Sequence, residues 1–334
     1  MTNRDASSRI FGPESLAFRG ERAANPPERW GIILAGGDGT RLRSLTRAIA
    51  GDERPKQFCP ILGRETLLDQ TRRRAALPVP PGQTLVMLTG GHRRFYEPLL
   101  AGVPQRNLVV QPQNKGTAPA ILYALLRLAA AAPTAPMAIF PSDHYVSDDA
   151  RFMAHAEAAF QAVRARPETI VLLGIAPDGP EVEYGWIEPA DPLIAAEPGT
   201  LSRVRRFWEK PSADVARTLW ARGCLWNSFV MVGGVPAFLG LIASALPDLY
   251  EAFAAVRDAL AEAGEEAALH RLYARLPESN FSREVLAARP AGLAVLPVVG
   301  VRWSDWGEPG RVLGTLARIG VRPQWAEAPL PVLA

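Results

Sequence analysis

The chain has 334 residues and is 48% hydrophobic, enough to bury a substantial core as one large α/β domain or as a domain with an appendage. Its 37 basic against 34 acidic residues leave a formal charge of +3 with no block of like charges, which argues against a nucleic-acid surface but suits a local site for a small anion. Cys59 and Cys224 lie far apart and form neither a zinc pattern nor a disulfide framework. With no apolar h-region in the first 29 residues and no apolar stretch of eighteen, a cytoplasmic setting without membrane span or export signal is expected.

Residues 1–28 are polar, proline-punctuated and aperiodic, and read as a mobile tail or leader. From Trp30 onward, short apolar runs alternate with amphipathic segments. A strand at Trp30–Leu34, a helix near Thr66–Ala76, a strand at Thr84–Thr89, a helix near His92–Leu100 and a strand at Asn107–Gln111 follow in order. A long helix at Thr117–Ala131, a strand at Met137–Phe140, a helix at Ala150–Arg164 and a strand at Thr169–Gly174 continue the series. Strand and helix alternating at this spacing predict an α/β fold with a doubly wound, mostly parallel, Rossmann-like sheet and helices on both faces. The texture then changes: Gly185–Pro189, Ser202–Trp208 and Leu225–Val232 read as aromatic-bearing strands that extend the sheet and wall a pocket. Residues 247–288 are alanine-rich and helical, and strands at Leu293–Val298 and Gly300–Trp303 precede a helix near Pro309–Ile319. A core at 29–245 with a helical and strand extension at 246–334 that completes the site is the expected organisation. The apolar helical region after Pro247 is a surface on which two copies could pair.

The exit of the first strand, Leu34 to Arg47, reads LAGGDGTRLRSLTR. Gly36, Gly37 and Gly39 permit positive φ and close approach of backbone N–H groups to a ligand, and a phosphate chain is the usual beneficiary. No lysine follows the glycines as a Walker A loop requires, and Leu42 stands where a dinucleotide fingerprint has its third glycine. The loop instead runs into Thr40-Arg41, with a second cationic cluster at Arg54-Pro55-Lys56-Gln57. A planar guanidinium on Arg41 and a compact ammonium on Lys56 suit a triphosphate. Read alone, the loop could also be a tight turn flanked by solvated arginines, the lesser of the two readings.

LAGGDGTRL followed by RPKQF resembles the signature of the sugar-1-phosphate nucleotidyltransferases, and RPKQF in particular that of the mannose-1-phosphate guanylyltransferase branch. The likeness recurs in order at Asn114–Ala120, Phe140–His144, Glu183–Ile187, Phe207–Pro211, Trp226–Ser228 and Trp303–Gly307. The resemblance implies transfer of a nucleotidyl group from GTP, or another nucleoside triphosphate, to a sugar 1-phosphate, most closely mannose 1-phosphate, with Mg²⁺ as cofactor. It implies a nucleotide site formed by Leu34, Ala35, Gly36, Gly37, Gly39, Thr40, Arg41, Asn114, Thr117 and Asp143. It likewise implies a sugar site at Glu183, Gly185, Glu209, Lys210 and Asn227, metal ligands at Asp143 and Asp305, and catalytic roles for Arg41, Lys56 and Asp143.

The residues themselves are compatible with these roles. Asp143 follows a strand ending in Phe140, at the carboxyl edge of a parallel sheet where such folds bind ligands, although an isolated aspartate there also serves as a turn or cap. Magnesium commonly takes only one or two protein carboxylates, so a sparse pair is adequate. Thr117 can cap a helix whose first turn tolerates Pro119. Glu209 and Lys210 leave an aromatic strand and meet Pro211, and read alone are as easily a surface ion pair. His144 is one of four histidines without metal-ligand clustering and reads either as a support behind the site's ligands or as structural; Trp208, Trp220 and Trp226 read as core aromatics.

Departures from the resembled pattern surround both pockets. Arg43-Ser44 replaces Trp-Pro, and Asn-Thr-Ala-Pro is stretched by two residues to Asn114-Lys115-Gly116-Thr117. Val182-Glu183 replaces Thr-Gly, Phe229 stands where Asn-Ser-Gly has glycine, and Trp306 interrupts Asp-Val-Gly. Other substrates, glucose or heptose 1-phosphate with another nucleotide, therefore stand beside the first reading, as does a sugar-nucleotide sensor without chemistry. With the chain ending at Ala334, neither a long β-helix nor a fused isomerase domain is expected to follow.

Overall fold

A computed structural model describes residues 28–196, 199–255 and 265–326. All of the predicted tail except Glu28, and part of the predicted helical stretch 247–288, lie outside the described residues. The first half runs β1 (Trp30–Leu34), α1 (Arg43–Ala50), α2 (Leu67–Ala75), β2 (Thr84–Thr89), α3 (Arg93–Tyr96), β3 (Leu108–Gln111), α4 (Thr117–Ala131), β4 (Pro136–Pro141), β5 (Tyr145–Val146) and α5 (Asp149–Ala165). The second half runs β6 (Ile170–Ile175), β7 (Gly185–Ala196), β8 (Gly199–Glu209), α6 (Ala213–Ala221), β9 (Leu225–Gly234), α7 (Val235–Ala245), α8 (Pro247–Ala254), α9 (Glu265–Arg275), β10 (Leu293–Val298), β11 (Trp303–Ser304) and α10 (Pro309–Ile319).

Nine strands form one sheet in the order β3-β2-β1-β4-β9-β6-β10-β8-β7. The pairs β1–β2, β1–β4, β2–β3 and β6–β10 are parallel, whereas β9 runs against both β4 and β6 and β8 runs against β10. Side chains alternate across the pleat, so Ile32, Ile170 and Leu172 face one apolar layer while Ile33, Val171 and Leu173 face the other. α4, α7 and α9 cover the first face, and α2 and α5 the second. Ile121, Leu122, Leu125 and Leu128 of α4 are fully buried, and each contributes about 2 kcal/mol of burial free energy. The sheet is therefore doubly wound and rich in parallel strands, with helices on both sides.

Three local outcomes differ from the expected pattern. The helix expected over His92–Leu100 is only Arg93–Tyr96, because Pro98 has no N–H with which to continue the ladder. Helices α1, α6 and α7 are additional to the expected elements; α1 and α6 are short but one-sided, whereas α7 reads VPAFLGLIASA, apolar nearly all round. Trp220 is exposed on α6 rather than part of the core. The segment beyond residue 246 contributes β10, which lies inside the sheet between β6 and β8.

A third apolar cluster joins the two ends of the chain. Leu42 and Leu45 of the N-terminal loop and α1 pack with Trp306, Val312 and Leu316 at the C-terminal end. β5 and β11 pair antiparallel beside it, with Ser304 opposite Tyr145. This packing holds the glycine loop and the Trp303–Gly307 segment together.

Candidate active site

The carboxyl ends of β1, β3 and β4 open onto a cleft of about 390 Å³, also bordered by the start of β7, the end of β8 and the early part of β9. This is the edge at which open α/β sheets bind ligands. Every site residue expected from the sequence lines the cleft except Ala35, Gly39, Thr40 and Lys56.

The glycine loop is held from behind by its own carbonyls. Gln57 Nε2 donates to the Ala35 and Gly37 carbonyls at 3.0 and 2.8 Å, and Thr89 Oγ1 donates to Gly36 O at 2.8 Å. Gly39 has φ 57° and passes so close to the backbone of Pro55 and Lys56 that a β-carbon would lie 3.0 Å from Lys56 N. Of the residues outside the cleft lining, Ala35 and Gly39 thus build the loop's frame and Thr40 is exposed, while Gly36 and Gly37 face the cleft. Asp38, which has no obvious role in the sequence, ties the loop sideways: it accepts from Asn114 Nδ2 at 2.8 Å and pairs with His92 Nε2 at 3.0 Å. Asn114 Oδ1 in turn accepts the Gly116 N–H at 3.0 Å, so its carboxamide orients the turn leading into α4.

Lys56 is turned inward, with its side chain 9% exposed. Its ammonium donates to the carbonyls of Asp305 and Trp306 and lies 3.3 Å from Asp143 Oδ2. Two of its three donors are used by these carbonyls, and Asp143 is its ion-pair partner. Lys56 thus sits behind the cleft lining and faces both aspartates. Asp305 Oδ1 also accepts from Gly307 N at 2.8 Å and from Arg311 Nη1 at 3.0 Å. Burial alone would raise the Asp305 pKa, but Lys56, His144, Arg311 and the Gly307 N–H outweigh it and hold the carboxyl below the usual range. His144 faces Asp143 Oδ1 at 3.4 Å, and burial keeps its imidazole pKa below the ordinary value despite the nearby carboxylates.

At the other end of the cleft, Glu183 Oε2 accepts from Lys210 Nζ at 3.1 Å and lies 3.4 Å from Arg41 Nη1. The Lys210 hydrogen bond and charge lower the Glu183 pKa, whereas burial raises that of Glu209. Arg41 therefore joins the glycine loop to the expected sugar residues. Asn227 Oδ1 accepts the Phe229 N–H at 3.1 Å, which leaves the amide donors of Asn227 for a ligand.

The non-glycine residues with positive φ among those described are Lys210, Phe229 and Trp306, at 48, 62 and 47°. Lys210 and Phe229 line the cleft, and Trp306 follows cleft-lining Asp305. Such a conformation costs about 1–2 kcal/mol per residue, and its concentration here marks a functional site.

Several cleft residues carry no clear sequence signal. Asn280 and Ser282 come from the region read only as helical, yet Ser279 N donates to Lys115 O and Ser279 O accepts from Ala118 N, which brings them to the start of α4. Gln111 lies at the end of β3, where its carboxamide is fixed by Tyr273 OH at 3.2 Å and Thr89 Oγ1 at 3.0 Å. Its position at a parallel strand's carboxyl end is the signal that could have found it.

The sequence profile of a family described as nucleotidyl transferase matches residues 30–309. The xanthan biosynthesis protein XanB of Xanthomonas campestris pv. campestris (strain B100) is 31% identical over 287 residues, covering 83% of this chain and 57% of that protein. A mannose-1-phosphate guanylyltransferase of Escherichia coli is 27% identical over 281 residues, again covering 83% of this chain and 57% of that protein. The chain thus spans little more than half the length of these relatives. The crystal structure of mannose-1-phosphate geranyltransferase from Thermus thermophilus superposes with a TM-score of 0.73 at 28% identity, covering 89% of this chain and 80% of that one.

Proposed function

The chain belongs to the nucleotidyl transferase family, and from that premise we propose that it transfers GMP from GTP to mannose 1-phosphate, giving GDP-mannose and pyrophosphate. A sugar-phosphate oxygen attacks the α-phosphorus of GTP, the bond from that phosphorus to the β-bridging oxygen breaks, and pyrophosphate leaves with the electron pair. The nucleophile is already anionic, so the reaction needs charge neutralisation and in-line alignment rather than a strong protein base. Gly36 and Gly37 bring backbone against the phosphates, and Arg41, between the loop and Glu183, supplies an exposed positive charge. Glu183, Glu209, Lys210 and Asn227 orient the sugar phosphate.

The observation that carries this reading is the convergence of Asp143 and Asp305 on one cleft with the glycine loop, held together by Lys56. The donor set fits Mg²⁺. Both ligands are oxygen donors, Asp305 is held ionised, and no denser group of His, Cys, Asp or Glu competes among the described residues. Asp143 and Asp305 would hold the ion, which when bound supplies Lewis-acid neutralisation and a template for the phosphates. Relatives named as mannose-1-phosphate guanylyltransferases support the substrate pair, and the cytoplasm is the proposed setting.

Pyrophosphate release with Mg²⁺ tests the proposal when GTP, ATP, UTP, CTP and dTTP are crossed with mannose, glucose and heptose 1-phosphates. Release with GTP and mannose 1-phosphate is the expected result. Release with another pair alone would move the substrates, and silence from a protein that still binds nucleotide would overturn the enzymatic reading in favour of a sensor.

A further inference from the structure

We propose that Phe229 is a specificity-determining wall of the cleft that excludes sugar phosphates carrying a bulky ring substituent. This rests on reading that end of the cleft as the sugar-phosphate subsite.

The wall is built by a bulge in β9. Gly174 of β6 faces Asn227 while Leu172 faces Met231, so β9 carries extra residues between the two pairings. Bulges next to active sites re-aim side chains, and this one centres on Phe229 with φ 62°. Both flanking side chains hold the irregular backbone. Asn227 Oδ1 accepts the Phe229 N–H at 3.1 Å, and Ser228 Oγ accepts the Val230 N–H at 3.1 Å while donating to Leu173 O at 2.6 Å. A backbone strain fixed from both sides and displayed at a cleft points to a use for the displayed group.

The ring is braced as well as displayed. It meets Phe281 nearly edge-on at 6.5 Å between centroids, and Phe281 is fully buried with its N–H donating to Thr117 Oγ1 at 2.8 Å. Retreat of the Phe229 ring would disturb the residue that anchors the start of α4. The cleft, at about 390 Å³, is at the small end of the range for ligand pockets and must hold a nucleotide and a sugar phosphate together. Against such a wall a hexose can lay its C–H face, whereas an N-acyl group meets an apolar ring that satisfies neither its N–H nor its carbonyl.

The test uses the full chain and its Phe229→Gly, Phe229→Ala and Phe229→Tyr variants. Turnover is measured with mannose and glucose 1-phosphates against 2-acetamido-2-deoxyglucose and heptose 1-phosphates, and calorimetry measures binding of each sugar phosphate alone. The unsubstituted hexose phosphates should be preferred by at least about tenfold in kcat/KM. Both small variants should shrink that ratio about tenfold, mainly through KM for a substituted sugar, and the tyrosine should preserve it. An unchanged ratio in both small variants, or equal use of plain and substituted sugars by the parent chain, overturns the wall. If no pair turns over, the enzymatic reading fails separately and calorimetry decides. A substituted phosphate gaining affinity only in the small variants upholds the wall, and unchanged or absent binding overturns it.

Discussion

Lys56 and Asp143 divide the work at the residue scale. The ammonium of Lys56 bridges two backbone carbonyls after β11 and one carboxylate after β4, so its removal would leave buried acceptors without a partner. Lys56→Met should cost about 1–3 kcal/mol of stability in chemical denaturation. It should also lower turnover, because the aspartates lose their common anchor. Asp143→Ala is expected to keep the fold by circular dichroism while pyrophosphate release falls by about a hundredfold or more. A folded Asp143→Ala protein with full turnover would remove Asp143 from the mechanism. The sequence suggested both residues, but the inward turn of Lys56 depends on Asp305 lying beside it, and they are distant along the chain.

At the scale of elements, the start of α4 shows how a short insertion is absorbed. Gly116 adopts φ 88°, and a β-carbon there would lie 2.2 Å from Ser279 O. The same carbonyl accepts the Ala118 N–H at 3.2 Å, so the C-terminal segment caps the helix in place of a local side chain. The Thr117 hydroxyl, expected as the cap, instead accepts the N–H of Phe281. Gly116→Ala should therefore destabilise by about 2 kcal/mol or more, and scanning calorimetry should show a lower Tm. An unchanged Tm would mean that Ser279 moves aside without cost. β1, β2, α4, β10 and α10 were legible because apolar runs or stripes bounded by turn residues define them locally. α7 was not, since its sequence is apolar nearly all round and offers no polar contrast to the buried Val235, Phe238 and Ile242. The bulge at Phe229 was equally hidden, because register belongs to the pairing with β6.

Acid sensitivity belongs to the whole molecule, because three histidines on separate segments, His155 buried and His92 and His144 partly buried, share one response. Burial depresses the pKa of His92, His144 and His155 below the ordinary value of about 6.5, although Asp38 and Asp143 pull the first two upward. His155 is 1% exposed, with Nδ1 against Arg151 O at 2.8 Å and Nε2 accepting from Val299 N at 3.2 Å, an arrangement only the neutral ring satisfies. Below the unfolded value the unfolded chain binds more protons, so their contribution is complete above about pH 6.5 and is lost as pH falls through the depressed folded values. Tm should therefore drop between about pH 7.5 and 5.5; a flat profile would show that the rings protonate without cost. The sequence by itself determined the alternating strands and helices, the glycine loop and the ordered motifs that carry the family likeness, since these depend on local periodicity and residue chemistry. Only the tertiary structure decided that β10 enters the sheet, that Lys56 faces the aspartates, that Asp38 ties the loop to Asn114 and that Phe229 walls the cleft. Each of these depends on contacts between distant segments, whose geometry is fixed by packing and hydrogen-bond satisfaction across the whole fold.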